Sequence, residues 1–259
     1  MPELPDLQVF RFNLSKKLVG KTVEKIHAIH PKKLNVPEQK LHRALVGATL
    51  TAVLREGKEL HFTFDNGNTL GLHMMLKGQL QLFNEKNMEK FAILELLFTD
   101  GTGLALADYQ RQATPTLNPE PKDAPDALSR DAGYKFLKEK LSGYGSTVKK
   151  LLMDQKIIRG IGNAYADEIL WQARISPFSI CNKIPDAVIR NLARSIRTVL
   201  SKAEKNILKT NPDILGGEVR AFLAIHNTKK THSPTGVKIR VDESGSRKTY
   251  YTDEQELFD

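Results

Sequence analysis

The first half of the chain shows two hydrophobic patterns in succession. Apolar residues from Leu7 to Leu18 recur at helical spacing, and Gly20 then provides a helix stop. From Thr22 to Asp108 the pattern changes to short β-branched or alternating segments separated by turns such as Asp100-Gly101. Consecutive strands without intervening helices predict an antiparallel sandwich or barrel.

The second half is predicted to be helical. The stretch TPTLNPEPKDAP, from Thr114 to Pro125, carries four prolines and is typical of a linker. Four helical segments follow, one of which opens on Asn163 as a predicted cap, and short strand-like pieces around Gly245 predict a terminal hairpin. The pattern thus predicts an α+β fold with a β domain at 1–113, a linker at 114–132, a helical domain at 133–224 and a hairpin at 225–259.

The composition is that of an ordinary globular protein. Hydrophobic residues make up 40% and charged residues 27% of the 259 residues. No apolar run reaches the roughly 20 residues of a membrane span, and the N-terminus lacks the layout of a signal peptide. Cys181 is the single cysteine, so an intramolecular disulfide is excluded. These features predict a soluble cytoplasmic protein.

Positive charge is concentrated in the second half of the chain. Residues 1–132 hold 17 basic and 16 acidic side chains, whereas residues 133–259 hold 22 and 14, which together give the net charge of +9. A basic half beside a neutral half is typical of a protein that binds a polyanion with one part. A simple solubility bias explains the same charge equally well.

The first three residues form a candidate catalytic group. Removal of Met1 would leave Pro2 as a secondary amine, and an α-amino group titrates low enough to be partly nucleophilic at neutral pH. Such an amine forms an iminium directly with a sugar aldehyde carbon, and Glu3 could serve as acid or base. Taken alone, however, a Met-Pro start is common and uninformative.

A second candidate site lies in the segment LLMDQKIIRGIGNAYADEILWQARISP. Gly160 and Gly162 permit a tight turn between two helices, and the backbone N–H groups at the following helix start, together with the Asn163 amide, would suit a phosphate. The alternative is a helical hairpin in which the glycines only make the turn. Four cations near this turn favour binding of the DNA backbone: Lys149, Lys150, Lys156 and Arg159.

Taken together, these two features resemble the formamidopyrimidine-DNA glycosylase/endonuclease VIII family. MPELPD is similar to the N-terminal MPELPE of the family, and DQKIIRGIGNAYADEIL is similar to its helix-two-turn-helix motif. The predicted layout follows the family over nearly the whole chain. The resemblance implies an N-terminal catalytic β-sandwich and a helix-two-turn-helix DNA-binding domain.

The same resemblance implies roles for individual residues. Pro2 would be the nucleophile at C1′ of the damaged nucleotide, and Glu3 would assist sugar ring opening as acid or base. Lys58 matches a strand lysine of the family that contacts the phosphate beside the lesion. Asn163 matches an asparagine that holds the same phosphate region, and His73 matches a histidine that reaches the DNA backbone. From the residues alone, the favoured explanation is an exposed strand lysine for Lys58 and a satisfied strand-end histidine for His73.

The terminal hairpin departs from the family. Most members bind zinc through two Cys-x-x-Cys pairs that are sixteen residues apart, and this chain keeps the frame with His232, Thr235, Thr252 and Gln255 at the four positions. Threonine and glutamine are not zinc ligands, so a zincless finger without metal is expected. Packing of Ile239, Val241, Tyr250 and Tyr251 is expected to hold the hairpin instead. By the resemblance, Arg247 at its tip would bind the phosphates that flank the flipped nucleotide.

A further departure concerns the side chains that fill the gap left by an extruded base. Leu76 in HMMLKG is similar to the wedge leucine of the endonuclease VIII branch, although it could also be a core residue. In DYQRQA, Gln110 and Gln112 replace an arginine and a phenylalanine of the oxidised-guanine enzymes, and Arg111 is expected to bind DNA. The loop NPDILGGEVR is short for the cap over the base that those enzymes carry. Both departures favour oxidised pyrimidines or ring-opened bases as substrates.

The sequence therefore predicts a bifunctional DNA glycosylase/AP lyase of base excision repair. The expected partner is damaged double-stranded DNA, the expected state is a monomer associated with the nucleoid and not with a membrane, and no cofactor is expected. The alternative is a catalytically weak or inactive protein of the same fold that only binds damaged DNA.

Overall fold

A computed structural model describes all 259 residues of the protein, and these divide into two units. The first unit comprises Met1–Pro121 with Ile207–Glu218, and the second comprises Lys122–Asn206 with Val219–Asp259. No helix is long and apolar enough to cross a membrane.

Two antiparallel four-stranded sheets make up most of the first unit. Its strands are β1 (Val23–Ala28), β2 (Leu50–Glu56), β3 (Glu59–Phe64), β4 (Thr69–His73), β5 (Gln79–Asn84), β6 (Ala92–Phe98), β7 (Thr102–Ala107) and β8 (Thr114–Leu117). One sheet has the order β1-β6-β7-β5 and the other β2-β3-β4-β8. This arrangement confirms the N-terminal sandwich of the predicted α+β fold.

Helix α1 (Leu4–Leu18) packs on the core of this unit. Its residues Leu7, Phe10, Leu14 and Leu18 are all 0% exposed and belong to one apolar cluster with residues of both sheets. Full burial of such a side chain stabilises the fold by about 1.5–3 kcal/mol. The helical spacing of these residues therefore correctly predicted which face of α1 is buried.

Two expectations for the first unit are wrong in detail. Helix α2 (Glu38–Leu45) interrupts the run of strands, and it buries Leu41 and Leu45 on one face. The expected linker begins with strand β8, in which Pro115 pairs with Leu72 of β4. A strand at the edge of its sheet tolerates proline because the missing N–H is not needed on the open side.

The second unit is mainly helical and carries the terminal hairpin. Its helices are α3 (Tyr134–Ser142), α4 (Val148–Met153), α5 (Asn163–Ala173) and α6 (Asp186–Thr210), the last of which ends in the first unit. Gly162, and not Asn163, is the N-cap of α5. The hairpin pairs β9 (Arg240–Asp242) with β10 (Thr249–Tyr251).

The packing expected for the hairpin is only partly right. Ile239 and Tyr250 are buried in a cluster with Ile225, and Tyr251 meets Phe178 edge-on at a centroid distance of 5.1 Å. Val241 is 44% exposed, although it pairs directly with the buried Tyr250. Cross-strand partners share one face of a hairpin, so the cluster covers Tyr250 on this face but leaves Val241 largely open to solvent.

Candidate functional site

A small cavity of about 230 Å³ lies at the N-terminus of the first unit. Pro2 and Leu76 both line it, together with Lys77, Gln79 and Glu218. The carboxylate of Glu218 also forms an ion pair with the amino group of Met1. The structure thus brings together two of the expected site residues, Pro2 and Leu76. Glu218 is an acidic neighbour that no sequence pattern singled out.

Glu3 lies at the start of α1 and is 4% exposed. Its side chain accepts the backbone N–H of Asp6, and the Asp6 carboxylate accepts the backbone N–H of Glu3 at 2.9 Å. This reciprocal arrangement is a capping box, which satisfies two backbone donors at the helix start. Glu3 therefore has a structural role in addition to the expected catalytic one, and it fixes the backbone that follows Pro2.

Leu76 stands at the tip of a tight loop between β4 and β5. Its side chain is 51% exposed, so the alternative that it is a core residue is wrong. A Cβ on Gly78 would lie 2.3 Å from the carbonyl oxygen of Met74, so the loop closes only with glycine there. His73 Nδ1 accepts the backbone N–H of Met75 at 2.9 Å, which ties the histidine ring to the same loop. Leu76 is thereby presented on a constrained loop.

Lys58 occupies a turn and not a strand. It forms the two-residue connection between β2 and β3 with Gly57, whose φ of 61° is the left-handed conformation that such a turn requires. Its expected place within a strand is therefore wrong by one residue. Neither Lys58 nor Glu3 is among the residues that line the Pro2 cavity.

Arg111 lies in the exposed loop that follows β7, with a left-handed φ of 53°. The carboxylate of Asp108 organises this loop by accepting the backbone N–H groups of Gln110, Gln112 and Ala113 at 2.8–2.9 Å. Tyr109 next to it is 56% exposed. Tyr109 also lines a cavity of about 360 Å³ with Phe91 and Lys77, an aromatic surface that no sequence pattern predicts.

The helix-two-turn-helix segment of the second unit runs from α4 to α5. Gln155 braces its turn, since its side-chain oxygen accepts the N–H of Gly160 at 2.9 Å and its amide donates to the carbonyl of Ile161 at 2.8 Å. Gly160 has a φ of 102°, a conformation that favours glycine. Lys156 is exposed on the turn, where it is available to a phosphate.

Asn163 and Arg247 line one cavity of about 670 Å³ within the second unit, together with Lys150. The Asn163 amide donates to the backbone carbonyl of Lys248 at 2.9 Å, and its buried Oδ1 has no hydrogen-bond partner. The start of α5 and the hairpin tip are therefore joined by the same asparagine that the sequence predicts to bind phosphate.

One of the cations expected near the turn faces inward. Lys149 is 7% exposed, and its Nζ lies 2.7 Å from Asp167 Oδ1 and 2.8 Å from Thr249 Oγ1. Asp167 also accepts the N–H of Tyr250 at 3.0 Å and contacts His226 Nδ1 at 2.7 Å. Lys149 thus anchors the hairpin to α4 and α5 and is not a surface cation for DNA.

The neighbouring Glu168 fixes the chain that leads to the hairpin. Its carboxylate accepts the backbone N–H groups of Ala224, Ile225 and His226 at 2.7–2.8 Å. Burial raises the pKa of Glu168, and these three donors act in the opposite direction. Both acidic residues of the sequence NAYADEIL are therefore turned to the hairpin side of α5.

The four positions of the family's zinc frame do not fit a metal ion. Thr235 and Thr252 direct their hydroxyls to the carboxylate of Glu254, at 2.7 and 3.2 Å. The Gln255 side chain accepts the N–H of Thr252 and donates to the carbonyl of Ile175, both at 2.8 Å. His232 is exposed, and no group of three or more His, Cys, Asp or Glu side chains suited to a metal occurs in the chain. This donor set lacks the four N or S ligands of a closed zinc site.

Comparison with known proteins identifies the family. Residues 1–114 match the model of the formamidopyrimidine-DNA glycosylase N-terminal domain, and residues 124–211 match that of the formamidopyrimidine-DNA glycosylase H2TH domain. The formamidopyrimidine-DNA glycosylase of Lactococcus lactis subsp. lactis is 30% identical over 240 residues, which cover 89% of this chain and 85% of that protein. That of Pelotomaculum thermopropionicum is 30% identical over 270 residues, with 97% of each chain covered.

Solved structures agree with this assignment. The complex of Lactococcus lactis Fpg with DNA that contains an abasic site is 26% identical, with a TM-score of 0.88 over 98% of this chain and 100% of that chain. MutM in complex with DNA that contains carbocyclic 8-oxo-G is 27% identical, with a TM-score of 0.87 and the same coverage.

The chain belongs to the formamidopyrimidine-DNA glycosylase family. It is a DNA glycosylase with AP lyase activity that binds damaged DNA in base excision repair, which confirms the expected class of enzyme. The alternative of an inactive binding protein is not favoured.

Proposed function

We propose that the chain excises oxidised or ring-opened bases through the secondary amine of Pro2. The observation that supports this proposal most directly is the cavity that Pro2 lines beside the exposed Leu76. A cavity at the amine can receive an extruded nucleotide, and an exposed apolar side chain at its edge can fill the gap in the stack.

The proposed chemistry proceeds in three steps. The Pro2 nitrogen attacks C1′ of the damaged nucleotide, the C1′–N bond to the base breaks, and Glu3 assists opening of the sugar ring as acid or base. Ring opening breaks the C1′–O4′ bond, O4′ takes up a proton as a hydroxyl, and the iminium that remains between C1′ and the Pro2 nitrogen acts as the electron sink for loss of the proton at C2′. Elimination of the 3′-phosphate and then of the 5′-phosphate leaves a one-nucleotide gap. In this proposal the substrate's own sugar carbon forms the electron sink, so no cofactor is called for.

Several basic and polar groups would hold the DNA backbone. In the first unit, Lys58, His73 and Arg111 are the proposed phosphate contacts. In the second unit, Lys156, Asn163 and Arg247 have the same role. Phosphate contacts of this kind position the duplex without reading its sequence. We further propose that the enzyme acts as a cytoplasmic monomer on chromosomal DNA.

Oxidised pyrimidines and formamidopyrimidines are the proposed substrates, ahead of 8-oxoguanine paired with cytosine. Leu76 and the exposed Gln110 and Gln112 support this order, because the arginine and phenylalanine of the oxidised-guanine enzymes are replaced. The loop NPDILGGEVR, residues 211–220, supports this order as well, because it is short for a cap over the base.

Borohydride trapping on DNA with an abasic site tests the role of Pro2. The wild-type protein is expected to form a covalent adduct, whereas Pro2→Gly and Glu3→Gln are expected to form much less. Intact mass spectrometry of the active protein is expected to show a chain without Met1, because only then is Pro2 a free amine. An undiminished adduct in Pro2→Gly would overturn the proposal.

A further inference from the structure

The base of the hairpin is built around a carboxylate. Glu254 Oε1 accepts from Thr235 Oγ1 at 2.7 Å and pairs with Arg174 Nη1 at 2.6 Å. Glu254 Oε2 accepts from Ser233 Oγ, Thr252 Oγ1 and Trp171 Nε1 at 3.2–3.3 Å. Five donors from three separate stretches of chain therefore meet one side chain, which is only 18% exposed.

These five donors connect the elements that a finger must hold together. Ser233 and Thr235 precede strand β9, Thr252 follows strand β10, and Trp171 and Arg174 lie at the end of helix α5. A zinc ion at the positions of the family frame would join the first two of these stretches through four anionic or neutral ligands. In this chain the central group is the anionic carboxylate of Glu254, and it is surrounded by hydrogen-bond donors. The polarity is therefore the reverse of that in a zinc site, where a central cation is surrounded by electron-pair donors.

The backbone of Arg174 supports a specific role for its side chain. This residue ends α5 with a φ of 61°, the left-handed conformation in which glycine is the favoured residue. The guanidinium also lies 5.2 Å from the centre of the Trp171 ring, so it is held between that ring and the carboxylate. Arg174 occupies a position that is suited to glycine, and this is explained if its positive charge is needed to pair with the carboxylate of Glu254.

We propose that Glu254 is a positioning residue that replaces the metal of the finger and holds the hairpin so that Arg247 can bind DNA. The hairpin strands are three residues each and offer few contacts of their own. The hydrogen bonds of Glu254 at the base of the hairpin and the ion pair between Lys149 and Asp167 must therefore supply most of the rigidity of the hairpin. The part concerning Arg247 rests on the proposed function, whereas the part concerning the hairpin does not.

Hydrogen exchange of the backbone amides in residues 240–251 tests the structural part. Glu254→Gln retains the shape of the side chain but removes its charge, and we expect exchange in the hairpin to become at least tenfold faster. Glu256→Gln is the matched control, since Glu256 is exposed two residues away and is expected to leave exchange unchanged. Treatment of the wild-type protein with a chelator is also expected to change nothing. Faster exchange after chelation, or equal exchange in the two variants, would overturn the proposal.

Binding to a duplex with an abasic-site analogue tests the functional part. Glu254→Gln and Arg247→Ala are each expected to weaken binding about tenfold. If Glu254 acts through Arg247, the DNA affinity of the double variant should be no lower than that of the single variant with the lower affinity. Effects that multiply would show that Glu254 does not act through Arg247. Thr235→Val, which removes one exposed donor, is expected to give a smaller loss of about threefold, and it serves if Glu254→Gln folds poorly. Borohydride trapping by the wild-type protein separates a failure of the proposed function from a failure of this inference.

Discussion

Lys149 Nζ lies 2.7 Å from Asp167 Oδ1, and the two side chains are 9% and 0% exposed. A buried pair of this kind is strongly destabilised when one partner is removed, because the remaining charge stays in the interior without compensation. We expect Asp167→Asn to lower the free energy of unfolding by about 3–5 kcal/mol, as measured by urea denaturation. Lys150→Met, at an exposed neighbouring position, is the control and should change it by less than about 0.5 kcal/mol. An Asp167→Asn protein as stable as the wild type would contradict the anchoring role of the pair.

The sequence predicted the elements that depend on local pattern and missed those that depend on distant partners. The helical spacing in α1 and the alternation in the strands are local patterns, and each correctly predicts its element. No local pattern predicts the inward orientation of Lys149, because its partners Asp167 and Thr249 are far away in the chain. The carboxylate centre at Glu254 also depends on donors from distant segments of the chain. In addition, the zinc frame of the family marks Thr235 and Thr252 as ligand positions but does not include Glu254. Hydrogen bonds between separate segments leave no periodic pattern in the sequence.

Asn163 is expected to serve both the hairpin and the DNA. Its amide donates to the carbonyl of Lys248 at 2.9 Å, and it lines the same cavity as Arg247. Asn163→Asp replaces this donor with a carboxylate, which would repel both the carbonyl oxygen and a phosphate. We expect Asn163→Ala to weaken binding of an abasic-site duplex by about 1–2 kcal/mol and Asn163→Asp by more, in fluorescence anisotropy titrations. Equal affinity of the Asp and Ala variants would show that no phosphate approaches this amide.

Acid should weaken the contribution of Glu254 to stability. Burial by itself raises the pKa of Glu254, but hydrogen bonds from Thr235, Trp171, Arg174 and Thr252 outweigh it and lower the pKa to about 2, from an ordinary value of 4.5. A carboxyl group whose pKa is lower in the folded state stabilises the fold fully above its unfolded pKa. This stabilisation is lost as the pH falls from 4.5 towards 2.

The difference in melting temperature between the wild-type protein and Glu254→Gln therefore depends on pH. We expect it to be largest above pH 5 and to shrink steadily as the pH is lowered towards 3, in parallel thermal melts of the two proteins. A difference that is independent of pH would show that the negative charge of Glu254 contributes nothing to folding.

Tyr109 is expected to contribute to DNA binding through its aromatic ring. It is 56% exposed beside the turn that Asp108 fixes, and it lines a cavity with Phe91 and Lys77. Exposed aromatic rings stack on bases with an energy of about 1–3 kcal/mol per base. Tyr109→Ala should therefore weaken binding of an abasic-site duplex by that amount, whereas Tyr109→Phe keeps the ring and should bind like the wild type. If Tyr109→Phe loses as much affinity as Tyr109→Ala, the hydroxyl and not the ring makes the contact.

Leu76 is expected to matter only when a base must leave a duplex. Its exposed side chain on the constrained loop would replace part of the stacking that is lost on extrusion, so Leu76→Ala should slow excision of a damaged base from duplex DNA about tenfold. Cleavage of an abasic site in single-stranded DNA requires no such compensation and should be unchanged. Leu54→Ala, at a leucine that is 45% exposed and does not line the Pro2 cavity, is the control.

The rate of base excision is measured on a set of duplexes, each of which carries one lesion at one position: 5-hydroxyuracil, thymine glycol, dihydrouracil, a formamidopyrimidine or 8-oxoguanine. The wild-type protein should cut the first four faster than 8-oxoguanine opposite cytosine, and the reverse order would show that Leu76 and the two glutamines do not determine the choice of lesion.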